Sequence, residues 1–373
     1  MTFNDTLDGL DRPALYRRLQ TVTATDVERV LRRESPPSDE DLAVIFSPAA
    51  VPYLEALAQR AAAVSERRFG RVVSLYAPLY LSNECVNRCA YCGFSGALEI
   101  PRITLTPAQA IEEARILYDE GFRHILLVSG ESPRAVSMEY LREVVHGLRE
   151  QWHSISIEIR PLDEDEYRVL ADDGVVGLAL YQETYDPERY AAFHPAGPKH
   201  DFRNRIDAIE RGGRAGFRSL GIGALLGLND WRFEAVVLAM HGRYLARRFW
   251  QSRIAVSFPR LRSAAACYQP EFLVSDPDLV QMICGMRLAL PDAELVLSTR
   301  ESATMRDHLV PLGVNRMSAG SRTNPGGYGH PRTGGEQFEV SDDRSPDEIA
   351  RMIAARGYEP VWKDADRELV TPC

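Results

Sequence analysis

Eight apolar runs, separated by segments of helical periodicity, fill the chain between residues 71 and 320. In chain order the runs are RVVSLYAPLYLS, HILLVSGE, SISIEIRPL, VVGLALYQETY, FRSLGIGALLGL, RIAVSFPRL, AELVLSTRE and VNRMSAG. One intervening helix is clearly marked, because it begins with the capping box Thr106-Pro107-Ala108-Gln109 and ends at Gly121. Strands that alternate with helices pair in parallel, and eight such units predict an α/β fold, a closed (βα)8 TIM-type barrel. An open doubly wound sheet is the alternative.

Helical segments flank the predicted barrel on both sides. Residues 1–70 contain two amphipathic patterns, PALYRRLQTVTATDVERVLRRE and YLEALAQRAAAVSERRFG, which predict an N-terminal helical extension. Residues 71–320 form the predicted barrel. Residues 321–373 begin with the glycine- and proline-rich loop SRTNPGGYGHPRTGG and continue into a capped helix, SPDEIARMIAARGY. We expect this C-terminal loop and helix to close the barrel.

Charge and hydropathy exclude several classes of protein. Lysine and arginine total 44 against 53 aspartate and glutamate, a net charge of −9, which argues against a nucleic-acid-binding surface. No basic segment precedes an apolar core at the N terminus, and no long apolar window occurs, so we expect no membrane partner. Cys267, Cys284 and Cys373 are scattered singly, which is typical of a reducing compartment. The sequence therefore predicts a soluble cytoplasmic protein.

Polar residues follow nearly every predicted strand, at the end where parallel barrels place their chemistry. They are Ser129, Gly130, Glu131, Glu158, Arg160, Gln182, Glu183, Asn229, Ser257, Arg260, Ser298, Arg300, Ser318 and Ser321. In the third run, isoleucines alternate with Ser154, Ser156, Glu158 and Arg160, so we expect the polar side to face the barrel interior. Either a bound ligand or a mutual pair of Glu158 with Arg160 would offset the free energy of burying these charges.

Three of the six cysteines, Cys85, Cys89 and Cys92, lie within eight residues directly after the first predicted strand. Neighbouring thiolates bind zinc or an iron–sulfur cluster. A structural zinc site usually takes further ligands from a second short-spaced pair, and the sequence contains none. A four-iron cluster with three protein ligands would leave one iron open to a chelating small molecule. We therefore favour a [4Fe–4S] cluster, with a structural zinc site as the alternative.

The C-x3-C-x2-C spacing, with Tyr91 before the last cysteine, resembles the signature of the radical S-adenosylmethionine (SAM) superfamily. The resemblance implies that the three cysteines bind a [4Fe–4S] cluster whose open iron binds SAM. Ser129-Gly130-Glu131 lies where that superfamily has a Gly-Gly-Glu motif, which meets the methionine amino group. By the same resemblance, the expected SAM-binding residues are Tyr91, Ser129, Gly130, Glu131, Glu158, Arg160, Gln182 and Ile222.

Longer segments, from about residue 45 to residue 364, resemble the 2-iminoacetate synthase family of thiamine thiazole synthesis. They include RRFGRVVSLYAPLYLSNECVNRCAYCGFS, SFPRLRSA, LSTRE, RMSAGSRTNPGGY and GYEPVWKD. Members of that family split the Cα–Cβ bond of L-tyrosine into 2-iminoacetate and 4-cresol, while SAM becomes 5′-deoxyadenosine and methionine. The resemblance implies a low-potential flavodoxin or ferredoxin as electron donor, and thiazole synthase as the partner that receives the product.

Two related lyases and one unrelated class are the alternatives. A hydrogenase maturase also cleaves tyrosine, but it carries a C-terminal C-x2-C pair for a second cluster, which residues 321–373 do not contain. A radical SAM lyase that acts on tryptophan or another aromatic amino acid would share the architecture and differ in pocket shape. The third alternative is a barrel with a structural metal and no radical chemistry.

An amino-acid substrate needs a partner for its carboxylate, and a bidentate arginine suits this role. Arg300, at the end of the seventh predicted strand, is the expected partner; a structural ion pair of Arg300 with Glu301 or Asp307 is the alternative. The other expected substrate-binding residues are Ser318, Ser321 and Tyr80. We further hypothesise that Glu183 or His194 takes the phenolic proton of the substrate.

Overall fold

The computed structural model of the 373-residue chain describes residues 2–261, 268–329 and 335–363. Cys267 and Cys373, two of the three cysteines that are scattered singly along the chain, lie outside the described residues. The last ten residues of the predicted C-terminal segment, 364–373, also lie outside them.

Eight parallel strands form a closed barrel. They are β1 (Val72–Ser82), β2 (His124–Ser129), β3 (Ser154–Glu158), β4 (Val175–Ala179), β5 (Ser219–Gly223), β6 (Arg253–Ser257), β7 (Glu294–Leu297) and β8 (Arg316–Ser318). Neighbouring strands pair in chain order from β2 to β8, and β1 closes the barrel by pairing with both β8 and β2. The (βα)8 prediction is confirmed, and the open-sheet alternative is wrong.

Helices precede the barrel in the N-terminal segment. They are α1 (Phe3–Asp8), α2 (Arg12–Thr21), α3 (Ala24–Leu31), α4 (Leu42–Ile45) and α5 (Leu54–Phe69). The buried ring of Phe3 stacks on His241, with 4.1 Å between ring centroids. The Asn4 amide donates a hydrogen bond to Oδ1 of Asp207 at 2.7 Å. The first helix is thereby held against two of the helices that surround the barrel.

The helices from the barrel onward are α6 (Pro107–Asp119), α7 (Met138–Leu148), α8 (Glu164–Asp173), α9 (Pro187–Phe193), α10 (Phe202–Arg214), α11 (Trp231–Arg248), α12 (Asp276–Ala289), α13 (Ala303–Leu309) and α14 (Pro346–Ala355). Helix α6 begins with the predicted capping box, in which the Thr106 hydroxyl accepts from the Gln109 N–H and the Gln109 side chain accepts from the Thr106 N–H. Among the described residues, no helix has the length and apolar character needed to span a membrane.

A ninth strand, β9 (Glu359–Val361), follows α14 and was not predicted. It pairs in parallel with Val72–Ser74 at the start of β1. Because β1 also pairs with β2 and β8, β1 has three neighbours in the sheet. The strand that leads into the cysteines is therefore held along most of its length.

The alternation on β3 separates the core from the barrel interior. Ile155 and Ile157 are buried in the main hydrophobic core. Ser156 and Glu158 line cavities inside the barrel. The polar side of β3 therefore faces the barrel interior.

Candidate active site

Neighbouring cavities occupy the barrel interior and its carboxyl end. The upper cavity, about 870 Å³ in volume, is lined by residues that include Tyr80, Tyr181, Arg300, Ser318 and Ser321. The cysteine cavity, about 510 Å³, is lined by residues that include Cys85, Cys89, Cys92, Ser129, Gly130 and Glu131. The lower cavity, about 440 Å³, includes Ser156, Ile222 and Arg316 in its lining. The residues that line both the upper and the cysteine cavity are Cys92, Val128, Glu158, Glu183, Lys199 and Gln337.

The loop that follows β1 carries Cys85, Cys89 and Cys92 into one cavity as free thiols. Burial raises the pKa of Cys89 to about 12 and that of Cys92 to about 11. Within the described ranges, no three histidine, cysteine or carboxylate side chains meet as ligands of a single metal ion. Each thiolate of an iron–sulfur cluster binds a different iron, so three thiols that share a cavity without meeting at one point fit a cluster.

Charged side chains form a connected network beside the cysteines. Asn87 donates to Glu131 at 2.8 Å, and Arg205 Nη1 lies 2.9 Å from the same carboxylate. Arg205 Nη2 lies 3.7 Å from Glu183, and Lys199 Nζ lies 2.8 Å from Glu183. The backbone N–H of Lys199 donates to Asn87 Oδ1 at 2.8 Å and completes the network. We call Asn87, Glu131, Glu183, Lys199 and Arg205 the charged ring; its two carboxylates and two cations balance.

Gly130 brings the backbone of the second barrel loop close to the cysteine loop. A Cβ atom at this position would lie 2.3 Å from the carbonyl oxygen of Glu84. Only glycine fits such an approach without movement of the neighbouring backbone. The Ser129-Gly130-Glu131 motif is thus packed directly against the residue that precedes Cys85.

Glu183 has an unusual backbone conformation, with a φ of 72°, the one positive value at a non-glycine residue in the described ranges. Glu234 holds the residues that follow it: one carboxylate oxygen accepts from the Thr184 hydroxyl at 2.6 Å, and the other accepts from the Tyr185 N–H at 2.9 Å. Strained residues of this kind persist where surrounding structure fixes them, often at functional sites. Although burial opposes it, the charges of Lys199 and Arg205 lower the pKa of Glu183.

His194 lies behind Tyr91 and does not line the described cavities. Its Nδ1 lies 2.7 Å from the Tyr190 carbonyl, which can only accept, so Nδ1 carries the proton. Its Nε2 then accepts from the Tyr91 hydroxyl at 2.8 Å. Burial lowers the pKa of His194 to about 3 and keeps the ring neutral. The side chain orients Tyr91, which itself lines the upper cavity.

The upper cavity contains the residues expected to bind an amino acid. The Arg300 side chain is half-buried and stacks on Phe338, with 3.4 Å between its central guanidinium carbon and the ring centroid. The Ser321 Oγ is buried with no hydrogen-bond partner among the described residues, so it can serve a ligand. Tyr80 donates its hydroxyl to Oε1 of Gln337 at 2.7 Å. Burial and the Glu183 charge raise the pKa of Glu158, at the junction of the cavities, to about 7.

The structure does not bring Arg160, Gln182 and Ile222 to the cysteine cavity. Arg160 pairs with Glu166 at 3.5 Å, across the start of α8. Gln182 turns away between two inward-facing neighbours and reaches the Phe202 carbonyl at 3.5 Å. Ile222 lines the lower cavity. Alternation explains Gln182, because its neighbours Tyr181 and Glu183 both line the upper cavity. Arg160 lies beyond the last residue of β3, where the alternation of the strand no longer applies.

Several residues of the site were missed. They are Asn87, Tyr181, Lys199, Arg205, Gln337 and Phe338. Tyr181 follows β4 two residues before Glu183, so alternation alone could have identified it. Arg205 lies on the amphipathic helix α10, where a basic residue is normally assigned to the solvent face. No local pattern marks Gln337 or Phe338.

Two family descriptions cover most of the chain. Residues 79–240 match the Radical SAM superfamily, and residues 257–359 match the Biotin and Thiamin Synthesis associated domain. The chain is 46% identical to a 2-iminoacetate synthase of Escherichia coli (strain K12), over 99% of this chain and 98% of the relative. It belongs to the 2-iminoacetate synthase family. This family membership makes the chain a radical SAM enzyme and a lyase, and it implies a [4Fe–4S] cluster and SAM.

Other members and neighbours of the 2-iminoacetate synthase family agree with this assignment. A 2-iminoacetate synthase of Salmonella typhimurium is 43% identical over 98% of this chain and 97% of the relative. Among solved structures, a crystal structure of HydG, a maturase of the [FeFe]-hydrogenase, has a TM-score of 0.89 at 30% identity and covers 94% of this chain and 80% of HydG. A methylornithine synthase structure shares the fold, with a TM-score of 0.72 at 22% identity over 90% of this chain and 97% of that chain.

Proposed function

We propose that this chain cleaves the Cα–Cβ bond of L-tyrosine to 2-iminoacetate and 4-cresol, with SAM converted to 5′-deoxyadenosine and methionine, for thiamine thiazole synthesis. Relatives named 2-iminoacetate synthase, similar over nearly the full chain, support the proposal. The observation that carries it is the upper cavity, where Arg300, Ser318 and Ser321 line a chamber that shares its boundary residues with the cysteine cavity. A half-buried arginine beside two hydroxyl groups suits an amino-acid carboxylate.

In this proposal Cys85, Cys89 and Cys92 hold the [4Fe–4S] cluster. When bound and reduced, the cluster and SAM supply the radical that takes a hydrogen atom from the substrate. The protein's own contribution is to hold that hydrogen in near contact with the radical carbon and to exclude water, since positioning prevents a wasted radical. The shared boundary of the two cavities supports such a placement.

The charged ring suits the methionine end of SAM, which carries both an ammonium and a carboxylate. Glu131 and Glu183 can accept from the ammonium, while Lys199 and Arg205 can pair with the carboxylate. The other proposed SAM contacts are Tyr91, Ser129, Gly130 and Glu158. Arg160, Gln182 and Ile222 stay predictions from the sequence alone, because none of them lines the cysteine cavity.

The substrate's polar ends have separate partners in the proposal. Arg300, with Ser318 and Ser321, binds the carboxylate and amine, and Tyr80 lines the same chamber. Glu183 also lines that chamber and is the proposed group for the phenolic proton, although its lowered pKa makes it a weak base. His194 is assigned to holding Tyr91, because both of its ring nitrogens are already engaged.

The proposal includes a low-potential flavodoxin or ferredoxin as electron donor, thiazole synthase as recipient of 2-iminoacetate, and a cytoplasmic location. A radical SAM enzyme needs a reductant that can approach its cluster. Val86, next to Cys85, is 48% exposed, so the cysteine loop reaches the protein surface. Electron transfer from a docked protein at this loop is consistent with that exposure.

Product analysis tests the proposed reaction. The protein is reconstituted anaerobically with iron and sulfide, reduced with dithionite, and incubated with SAM and either tyrosine or tryptophan. We expect about four irons per chain, together with 4-cresol and 5′-deoxyadenosine in similar amounts from tyrosine. Cleavage of tryptophan alone would favour the alternative aromatic lyase, and 5′-deoxyadenosine without 4-cresol would contradict the tyrosine assignment. One zinc and no iron would reject radical chemistry altogether.

A further inference from the structure

Residues 335–342, which we call the strap, cross the carboxyl end of the barrel over three of its loops. The Gly93 N–H donates to the Gln337 carbonyl at 3.1 Å, beside the cysteine loop. The Gln337 N–H donates to the Thr323 carbonyl at 3.0 Å, and the Ser341 N–H donates to the Thr299 carbonyl at 2.9 Å. The strap is therefore fixed to the loops that follow β1, β7 and β8.

Both ends of the strap are held closely. A Cβ atom on Gly93 would lie 2.2 Å from the Glu336 carbonyl oxygen, so the strap packs on the cysteine loop without space for a side chain there. At the other end the buried Asp342 carboxylate pairs with Arg306 and, at 2.7 Å, with Arg344. Gln337 and Phe338 lie on the strap between these two contacts.

Phe338 on the strap contacts the predicted carboxylate partner directly. Its ring lies under the Arg300 guanidinium, whose central carbon is 3.4 Å from the centroid. A guanidinium that stacks on an aromatic face lies parallel to the ring. Its N–H groups then point outward in that plane, which restricts the direction from which a carboxylate can bind. The Thr323 hydroxyl donates to the backbone carbonyl of Phe338 at 2.9 Å and so ties the backbone of this residue to the loop after β8.

Gln337 determines what the Tyr80 hydroxyl can offer to a ligand. Tyr80 uses its one O–H to donate to Gln337 Oε1 at 2.7 Å. The phenolic oxygen of Tyr80 can then act toward the upper cavity only as an acceptor. It suits an N–H or O–H donor on the bound molecule.

We propose that Gln337 and Phe338 are positioning residues of the substrate pocket. Phe338 keeps the Arg300 guanidinium parallel to its ring. Gln337 orients the Tyr80 hydroxyl so that its oxygen accepts a hydrogen bond from a donor group of the bound aromatic amino acid. This inference rests on the proposed function. It makes a strap outside the eight barrel strands part of substrate selection.

A double-mutant cycle tests the Gln337 part. Tyr80→Phe and Gln337→Leu should each raise KM for tyrosine about 5- to 10-fold, the effect of one hydrogen bond, while kcat changes less. Because Gln337 acts through the Tyr80 hydroxyl, the double variant should lose no more than either single variant. Additive losses, or single variants with the wild-type KM, would overturn this part.

Exchange of the stacked ring tests the Phe338 part. Phe338→Leu should raise KM for tyrosine about 10-fold and increase the ratio of 5′-deoxyadenosine to 4-cresol, while Phe338→Tyr keeps the aromatic face and should restore both. Phe249→Leu is the matched control, since Phe249 packs on Gly213 away from the cavities. Iron content and thermal midpoint check that each variant is folded. Equal effects in Phe338→Leu and the control would contradict the inference.

Equilibrium binding separates this inference from the proposed reaction. Dialysis of radiolabelled tyrosine against the reconstituted but unreduced protein measures affinity without turnover. If the wild-type protein binds tyrosine but forms no 4-cresol, the proposed reaction is contradicted. The positioning role of Phe338 is still supported in that case if Phe338→Leu binds tyrosine about 10-fold more weakly. Equal tyrosine affinities of the wild type and Phe338→Leu contradict the positioning role of Phe338, whatever products are formed.

Discussion

The Lys199 ammonium lies 2.8 Å from the Glu183 carboxylate, and both side chains line the upper cavity and the cysteine cavity. Their side chains are 10% and 12% exposed, so the pair is largely withdrawn from water. Arg205 is the second cation near Glu183, at 3.7 Å. The pair forms a charged boundary between the two proposed binding sites.

Removal of one member of this pair should destabilise the fold. Lys199→Met leaves the Glu183 carboxylate without its nearest cation, and breaking a buried pair typically costs about 3–5 kcal/mol. We expect a lower urea midpoint, measured anaerobically by circular dichroism. The double variant Lys199→Met with Glu183→Gln removes the charge as well and should recover part of the loss. A wild-type midpoint for Lys199→Met would contradict the ion pair.

The cysteine assignment predicts a sharp contrast between two thiols. Cys89→Ala should reduce bound iron after reconstitution and abolish reductive cleavage of SAM. Cys284→Ala is the matched control, because Cys284 is a free, buried residue of α12 that does not line the cysteine cavity. Iron analysis and the visible spectrum make the comparison. Equal iron in the two variants would remove Cys89 from the cluster site.

The position of Arg300 predicts a loss of amino-acid affinity without a loss of the cluster. Arg300→Ala should weaken tyrosine binding by about 10-fold or more, since a charge-assisted hydrogen bond is worth roughly 1.5–3 kcal/mol. The cluster spectrum should stay unchanged. Arg160→Ala, which alters an arginine outside the upper cavity, should leave tyrosine affinity within about twofold. The opposite ranking of the two variants in equilibrium dialysis would reverse the assignment.

The buried His241 predicts acid sensitivity. Burial lowers its pKa from 6.5 to about 3, so the unfolded chain binds a proton that the folded chain does not. Stability is therefore present above pH 6.5 and is lost as the pH falls from 6.5 toward 3, by at most about 1.4 kcal/mol per pH unit. The Tyr185 hydroxyl and His241 Nδ1 share a hydrogen bond of 2.8 Å, so His241→Phe is combined with Tyr185→Phe. Urea midpoints from pH 7 to pH 5 should fall less steeply in that double variant; parallel slopes would contradict the shift.

The regular part of the fold was predictable because it depends on local patterns. Eight apolar runs and their capped helices mark the barrel, and the spacing of the cysteines marks the loop after β1. Glu359–Val361 is too short to show a period, and its partner in β1 lies almost 300 residues earlier, so β9 was missed.

The site was predicted less completely because charges paired over long distances resemble surface residues. Arg205 appears as a solvent-facing residue of α10, yet its side chain is 6% exposed because Glu131 and Glu183 neutralise it. Gln182 was expected to line the site, whereas its side chain points to the Phe202 carbonyl and its neighbours Tyr181 and Glu183 line the upper cavity. Such distinctions depend on the tertiary structure and have no local sequence signal.

The pairing of β9 with β1 links the order of synthesis to the assembly of the metal-binding loop. During translation, β1 and its three cysteines leave the ribosome long before Glu359–Val361. Until those late residues arrive, the beginning of β1 lacks one of its neighbours, and the strap that packs on Gly93 is also missing. On a nascent chain the cysteine loop would therefore lack the contacts made by β9 and the strap. The complete set of contacts around the cysteines forms only after the whole polypeptide has been synthesised.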